Sequence, residues 1–230
     1  MHRQRRAPRP GGYRGVVFDL DGTLVREANS WAAMQRKLGP GHHQRQRDRW
    51  ARFRTGELGR RDFLVEQIAD LRGEEGRLLD EVVEEVEYHD GVAAACERLR
   101  GAGVRLAIVS AGISAITARV AADLGMELHR ANTIHILDGL FTGEGDVSVP
   151  PGGKAPVFAE TVAALGLDPD DVVAVGDSPG DIDMFHAAGL GVAFCPVNDE
   201  TADAADVIID APDMRRLVPY VLGGATGAGP

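Results

Sequence analysis

Gly15–Val25 reads GVVFDLDGTLV, and this stretch decides the fold. Its apolar run, Val16-Val17-Phe18, has the character of a strand buried on both faces, as in parallel sheets, and Gly22-Thr23 breaks it into a turn. Asp19 and Asp21 sit at or just past the strand's C-terminal end. Two carboxylates placed there repel each other unless a cation or phosphate chemistry uses them. The alternative is a turn in which aspartate caps local backbone, a role ordinary for one acid and strained for two beside an apolar strand.

Downstream, the pattern splits. Residues 28–88 are helical in character: Leu64, Ile68 and Leu71, then Leu79, Val82, Val83 and Val86, recur at helical spacing with no strand between them. From Asp90 helices alternate with apolar strands. Val104–Val109 runs into Ser110-Ala111-Gly112, a helix spans Ser114–Leu124, and Thr133–Ser148 reads as one or two hairpins with Asp138-Gly139 as the turn. Lys154 opens the next helix, Val172–Val175 is a strand ending at Gly176-Asp177, and a final helix is expected over 213–221. The alternation predicts an α/β fold, a doubly wound and mostly parallel sheet with an inserted α-helical subdomain. Such sheets hold ligands beyond the C-terminal ends of their strands. The expected division is a core of residues 15–27 and 89–222, a helical cap over 28–88, a disordered basic tail over 1–14 and a flexible tail over 223–230.

Charge narrows the partners. The net charge of -10 contains five arginines and no acid in residues 1–14, so the remainder stands at -10 - 5 = -15. An acidic body argues against a nucleic-acid surface. There is no apolar run of membrane-spanning length and no secretory h-region, so a soluble, cytoplasmic protein is expected. Cys96 and Cys195 are far apart and lack metal-ligand spacing, which predicts free thiols, and the scattered histidines lack a zinc pattern. Of the basic residues only Lys37 and Lys154 are lysines. A lysine at 154 in an arginine-using chain fits a need for a point charge.

Three strand ends carry polar residues of one chemistry: Asp19 and Asp21, then Ser110, then Asp177 with Asp181. Carboxylates from two strands suit Mg²⁺, with Asp19, Asp177 and the main-chain carbonyl of Asp21 as its ligands. Ser110, with Ala111 and Gly112 after it at a helix start, offers a hydroxyl and free backbone N–H groups to a phosphate. Lys154 adds positive charge against phosphoryl oxygens. Asp19 is then the nucleophile that forms an acyl phosphate, and Asp21 the general acid and base.

FDLDGTL, the serine ending IVS before AG, Lys154 and GDSPGDIDM, in this order, resemble the four motifs of the haloacid dehalogenase superfamily of phosphatases. The resemblance spans Gly15 to Tyr220. It implies Asp19 as nucleophile, Asp21 as acid/base, Ser110 and Lys154 as phosphate binders, and Asp177 as a Mg²⁺ ligand supported by Asp181, with Thr23 and Gly112 in support. The insertion corresponds to the family's helical cap. IVSAG, Ala131-Asn132, DGLFTGE and VAVGDSPGDIDMFHAAGLGVAFC look most like its phosphoserine phosphatases. Those enzymes usually have glycine at the position of Ala111 and asparagine at that of Gly180. Their caps supply an acid just after the first motif, where Ala28 falls with Glu27 beside it, and an arginine where Gln67 stands. Glu27, Gln67 and Arg60 are therefore the candidate substrate residues of the cap. The reaction implied is hydrolysis of a small phosphorylated metabolite. A phosphotransferase or mutase using the same aspartyl phosphate, and a phospho-accepting signalling or binding module, share these residues.

Overall fold

The computed structural model describes residues 5–224. At its centre β1 (Gly15–Phe18) pairs in parallel with β2 (Arg105–Ile113) on one side and β5 (Val172–Gly176) on the other. Beyond β5 lie β6 (Leu190–Phe194) and β7 (Val207–Ile209), and beyond β2 lie β3 (Leu128–Leu137) and β4 (Leu140–Asp146), giving the order β4-β3-β2-β1-β5-β6-β7. Only β4 runs antiparallel to its neighbour.

The period of two along β1 explains why its residues are all apolar. Val16 and Phe18 point into a layer containing α5 (Val92–Gly101) and α6 (Ser114–Leu124). Val17 points into the opposite layer, with α7 (Lys154–Ala164) and α8 (Ile182–Ala187). Every β1 side chain is thus fully buried, each contributing about 1.5–3 kcal/mol. Register then sets the level of the strand ends. Phe18 stands opposite Ile108 on one side and Val175 on the other, so Asp19 lies level with Val109 and Gly176, one residue short of Ser110 and Asp177.

Between β1 and β2 the chain forms α1 (Ser30–Lys37), α2 (Pro40–Arg54), α3 (Arg60–Ala69) and α4 (Arg77–Glu84). It leaves and returns through a short paired stem, a bridge of Val25 with Tyr88 flanked by the bonds Arg26 N–H to Glu87 O (2.8 Å) and His89 N–H to Leu24 O (3.1 Å). The turn after α3 pairs with β4, Gly73 N–H donating to Phe141 O and Phe141 N–H to Glu74 O, both at 2.9 Å. That pairing covers backbone of an edge strand that would otherwise be open.

Several expectations change. The N-terminal segment was expected to be disordered over 1–14; residues 1–4 lie outside the described residues, and the mostly exposed residues 5–14 are tied to the core at Arg6 and Tyr13. Asp206 is a buried carboxylate that needs a counter-charge, and Arg6 supplies it, Nη2 to Oδ2 at 2.6 Å, while also donating to Phe185 O at 2.8 Å. Tyr13 is buried, and its N–H donates to Val221 O at 2.7 Å. β2 does not end at Val109 but continues to Ile113 through a register shift, so α6 starts two residues after Gly112. β3 begins at Leu128, earlier than the expected hairpin, because its first half pairs with β2 before its second half pairs with β4. Asp138 and Gly139 both have positive φ, 51° and 79°, as a tight two-residue hairpin turn requires. The last helix is a 3₁₀ turn (Met214–Leu217) followed by α10 (Val218–Val221), broken where Pro219 removes a donor. A further helix, α9 (Asp199–Ala204), was not foreseen; it has no long apolar stripe and is started by Asn198, whose side chain accepts from Thr201 N–H. Residues 225–230, most of the expected flexible C-terminal tail, lie outside the described residues. Among the described residues no helix is long and apolar enough to cross a membrane.

Candidate active site

The levelled ends of β1, β2 and β5 bring Asp19, Asp21, Ser110 and Asp177 to the floor of one cleft of about 820 Å³, which Ala111, Gly112 and Lys154 also line. Lys154, the first residue of α7, is buried with its Nζ 2.6 Å from both Asp19 Oδ1 and Asp181 Oδ1. Its bond to Asp181 is a hydrogen bond; the approach to Asp19 is an ion pair without that alignment, leaving Asp19 Oδ1 otherwise unpartnered. Asp181 is fully engaged through its other oxygen as well, which accepts from Asp177 N–H (3.1 Å), Ser178 N–H (3.0 Å) and Ser178 Oγ (3.1 Å). Thr23 Oγ donates to Asp177 Oδ1 at 3.0 Å. Thr23 and Asp181 therefore act from behind the floor.

Glycines let these groups approach. Gly22 has φ +73°, and a Cβ there would lie 2.4 Å from Asp177 Oδ2. A Cβ on Gly112 would lie 2.5 Å from Ser30 Oγ and 3.0 Å from Ser110 Oγ. The Gly112 N–H, expected to be free for a phosphate, donates to Ser110 Oγ at 3.0 Å, because the extended strand rather than a helix terminus carries it.

The floor holds more negative than positive charge. Asp19, Asp177 and Asp181 are buried, with one oxygen of each within 4.8 Å of the others, and Lys154 is the ammonium among them. Burial first, and then the charge of Asp181, push Asp19 well above the usual carboxylate range despite Lys154. The same two causes raise Asp177 to about 7, against the pull of Thr23. Burial lowers the tendency of Lys154 to hold its proton, but Asp181 and Asp19 win and keep it firmly ammonium. Burial raises Asp21 to about 6, opposed by Ser30, whose N–H and Oγ donate to Asp21 Oδ2 at 2.9 and 2.8 Å. Asp21 Oδ1 has no partner. This surplus of hard oxygen ligands fits a divalent cation of the Mg²⁺ type.

The cap candidates separate. Gln67 lines the cleft, buried. Glu27 does not: it accepts from Asn29 N–H at 3.1 Å, pairs with Arg36 and faces a smaller cavity behind α1, while Ala28 takes the place in the cleft. Arg60 is also outside the lining, donating to Gly152 O at 2.5 Å. Its neighbours are spent similarly, Arg61 on Val147 O (2.8 Å) and Arg52 on Glu66 (2.8 Å). Gly180 lines the cleft with room for a side chain, since a Cβ there would meet only Ser178 Oγ at 3.4 Å.

The roles of several residues at the site were missed. Ser30 positions Asp21; its signal was the Asn29-Ser30 helix start, where Asn29 accepts from Ala32 N–H at 2.9 Å. Trp31 Nε1 donates to Ala111 O at 3.0 Å, and Asn132 Nδ2 donates to the same oxygen at 2.8 Å and to Val149 O at 2.9 Å, tying β2, β3 and α1 together. No local pattern announces those contacts. Gln35 lines the cleft from α1, likewise buried.

A model of the haloacid dehalogenase-like hydrolase family matches residues 16–186. The chain is 32% identical to a phosphoserine phosphatase of Streptomyces coelicolor over 91% of its own length and 50% of that protein. It is 29% identical to a phosphoserine phosphatase of Streptococcus thermophilus, covering 88% of this chain and 93% of that one. A solved structure described as a phospho-aspartyl intermediate analogue of phosphoserine phosphatase superposes with a TM-score of 0.77 at 25% identity, over 91% of this chain and 99% of that one. The chain spans about half the length of several curated relatives it matches, the Streptomyces protein among them.

Proposed function

Because this chain belongs to the haloacid dehalogenase-like hydrolase family, we propose that it is a phosphatase that hydrolyses a small phosphomonoester through phosphorylation of Asp19. The observation that carries the reading is the meeting of Asp19 and Asp21, at a strand end aligned with its neighbours by the β1 register, with Lys154 from the start of α7 on the floor of one cleft. Residues 28–88 are the cap over a core formed by 15–27 and 89–222. Asp19, Asp177 and the main-chain carbonyl of Asp21 would hold Mg²⁺, which offsets phosphoryl and carboxylate charge when bound.

The chain's own groups divide the reaction. Lys154 favours the ionised form of Asp19 against burial and the neighbouring acids, a balance that Mg²⁺ would complete when bound, and attracts the phosphoryl oxygens; Ser110 offers its hydroxyl to one of them, with Ala111 beside it. An Asp19 carboxylate oxygen attacks phosphorus, the bond from phosphorus to the substrate alcohol breaks, and protonated Asp21 gives its proton to the departing oxygen. Asp21, now carboxylate, takes a proton from water as that water attacks the phosphorus of the aspartyl phosphate. Asp19 is released with inorganic phosphate, and Asp21 is again protonated. A raised Asp21, at about 6, suits a group that must give and take a proton near neutrality. Ser30 aims it, and the helices over the cleft keep bulk water away.

The test is phosphate release from p-nitrophenyl phosphate in the presence of Mg²⁺. Release that disappears in Asp19→Asn supports the reading; absence of release with every divalent metal tried refutes it.

A further inference from the structure

The cleft has a charged floor and a wall of different chemistry. Among the described residues that line it, the carboxylates are Asp19, Asp21 and Asp177, all on the floor; α1, α2 and α3 contribute none. What the wall offers instead is two buried amides. Gln35 and Gln67 are 4% and 2% exposed, both face the cleft, and the Oε1 of each lacks a hydrogen-bond partner. A buried carbonyl oxygen without a donor is a cost to the folded chain that a ligand donor removes. The wall also offers fixed aromatic faces. Trp31 is held by its bond to Ala111 O, and Phe63 is packed edge-on to Trp50 with ring centroids 5.6 Å apart. The rim cations Arg36 and Arg47 are exposed and already bonded to Glu27 and Gln44.

We infer that this wall selects the phosphate ester of a neutral polyhydroxy alcohol, such as a sugar or polyol phosphate, through hydroxyl donation to Gln35 and Gln67. The inference rests on the phosphatase reading of the floor. Hydroxyls match amides because each is both donor and acceptor, and the C–H face of such a molecule packs on Trp31 and Phe63. An ammonium-bearing alcohol fits less well. It would bring a charge to a wall without a carboxylate, and burial of an unpaired charge is unfavourable.

The experiment compares glucose 6-phosphate, sorbitol 6-phosphate and phosphoserine in two assays, with p-nitrophenyl phosphate as the general phosphatase probe. The first measures kcat/KM with Mg²⁺ for the wild type, Gln35→Leu and Gln67→Leu. The second measures binding to Asp19→Asn by calorimetry, without turnover. The expected result is that at least one neutral ester exceeds phosphoserine by about tenfold or more in both assays, and that each leucine variant lowers this preference by about tenfold or more. Both leucine variants should melt no lower than the wild type, since they remove an unpartnered buried carbonyl. Phosphoserine equal to or above both neutral esters, or a preference unmoved in both variants, overturns the inference. Failure to hydrolyse any ester, p-nitrophenyl phosphate included, while the binding order holds, overturns the phosphatase reading and supports the selectivity of the wall.

Discussion

Behind the floor of the cleft Asp181 accepts four hydrogen bonds, from Lys154, the Asp177 and Ser178 N–H groups and Ser178 Oγ, whereas on the wall the side-chain carbonyls of Gln35 and Gln67 accept none. The floor stands on three neighbouring strands whose register leaves its side chains little freedom. The wall stands on helices joined to the sheet by the Val25–Tyr88 stem and by pairing with β4. The difference teaches a division of labour. Charge is arranged before any substrate arrives, which lowers the reorganisation needed for reaction, while recognition is left incomplete until a ligand supplies the missing donors.

The largest effect that sharpens this contrast is at the floor's nucleophile. Asp19→Asn should lower p-nitrophenyl phosphate turnover by about 10³-fold or more while leaving the circular dichroism spectrum unchanged. Next comes Lys154→Met, which leaves Asp19, Asp177 and Asp181 buried without their ammonium. Urea denaturation at pH 7 should show a loss of about 3–5 kcal/mol, part of which added Mg²⁺ restores.

A smaller effect crosses from wall to floor. Ser30→Ala removes the Oγ donor to the Asp21 carboxylate and keeps the backbone N–H donor, so the Asp21 proton is held more tightly than at about 6. Because each cycle begins from protonated Asp21, kcat/KM falls as pH climbs through this value. The basic limb of the kcat/KM profile should therefore move to higher pH in Ser30→Ala, by about half a pH unit, with no loss at pH 6. The smallest effect is Glu27→Gln. Glu27 faces away from the cleft, so kcat/KM for p-nitrophenyl phosphate should stay within about twofold of the wild type, and a larger loss would bring that acid back to the wall.

The contrast also marks what could be read from sequence. The three apolar runs ending in Asp19, Ser110 and Asp177 announce parallel strands, and parallel pairing then forces their ends together. Asp181 was legible as a supporting residue, although its four bonds were not. The substrate end was harder because helical cap positions carry no register to fix them. Glu27 and Ala28 are adjacent, yet only Ala28 faces the cleft, since the chain turns into α1 at Asn29. Arg60, a candidate substrate residue, is used on a loop carbonyl. Arg6 looked loose because its partner, Asp206, lies 200 residues away in the chain. Asn132 joins three separate segments, a relation that exists only after folding.

The account turns on Asp19 as the group that receives the phosphoryl. Acid quenching of a turnover mixture, followed by peptide mass mapping, tests this directly. The expected result is a phosphoryl group on the peptide containing Asp19, absent from Asp19→Asn. Phosphorylation of another residue, or undiminished hydrolysis by Asp19→Asn, would contradict it.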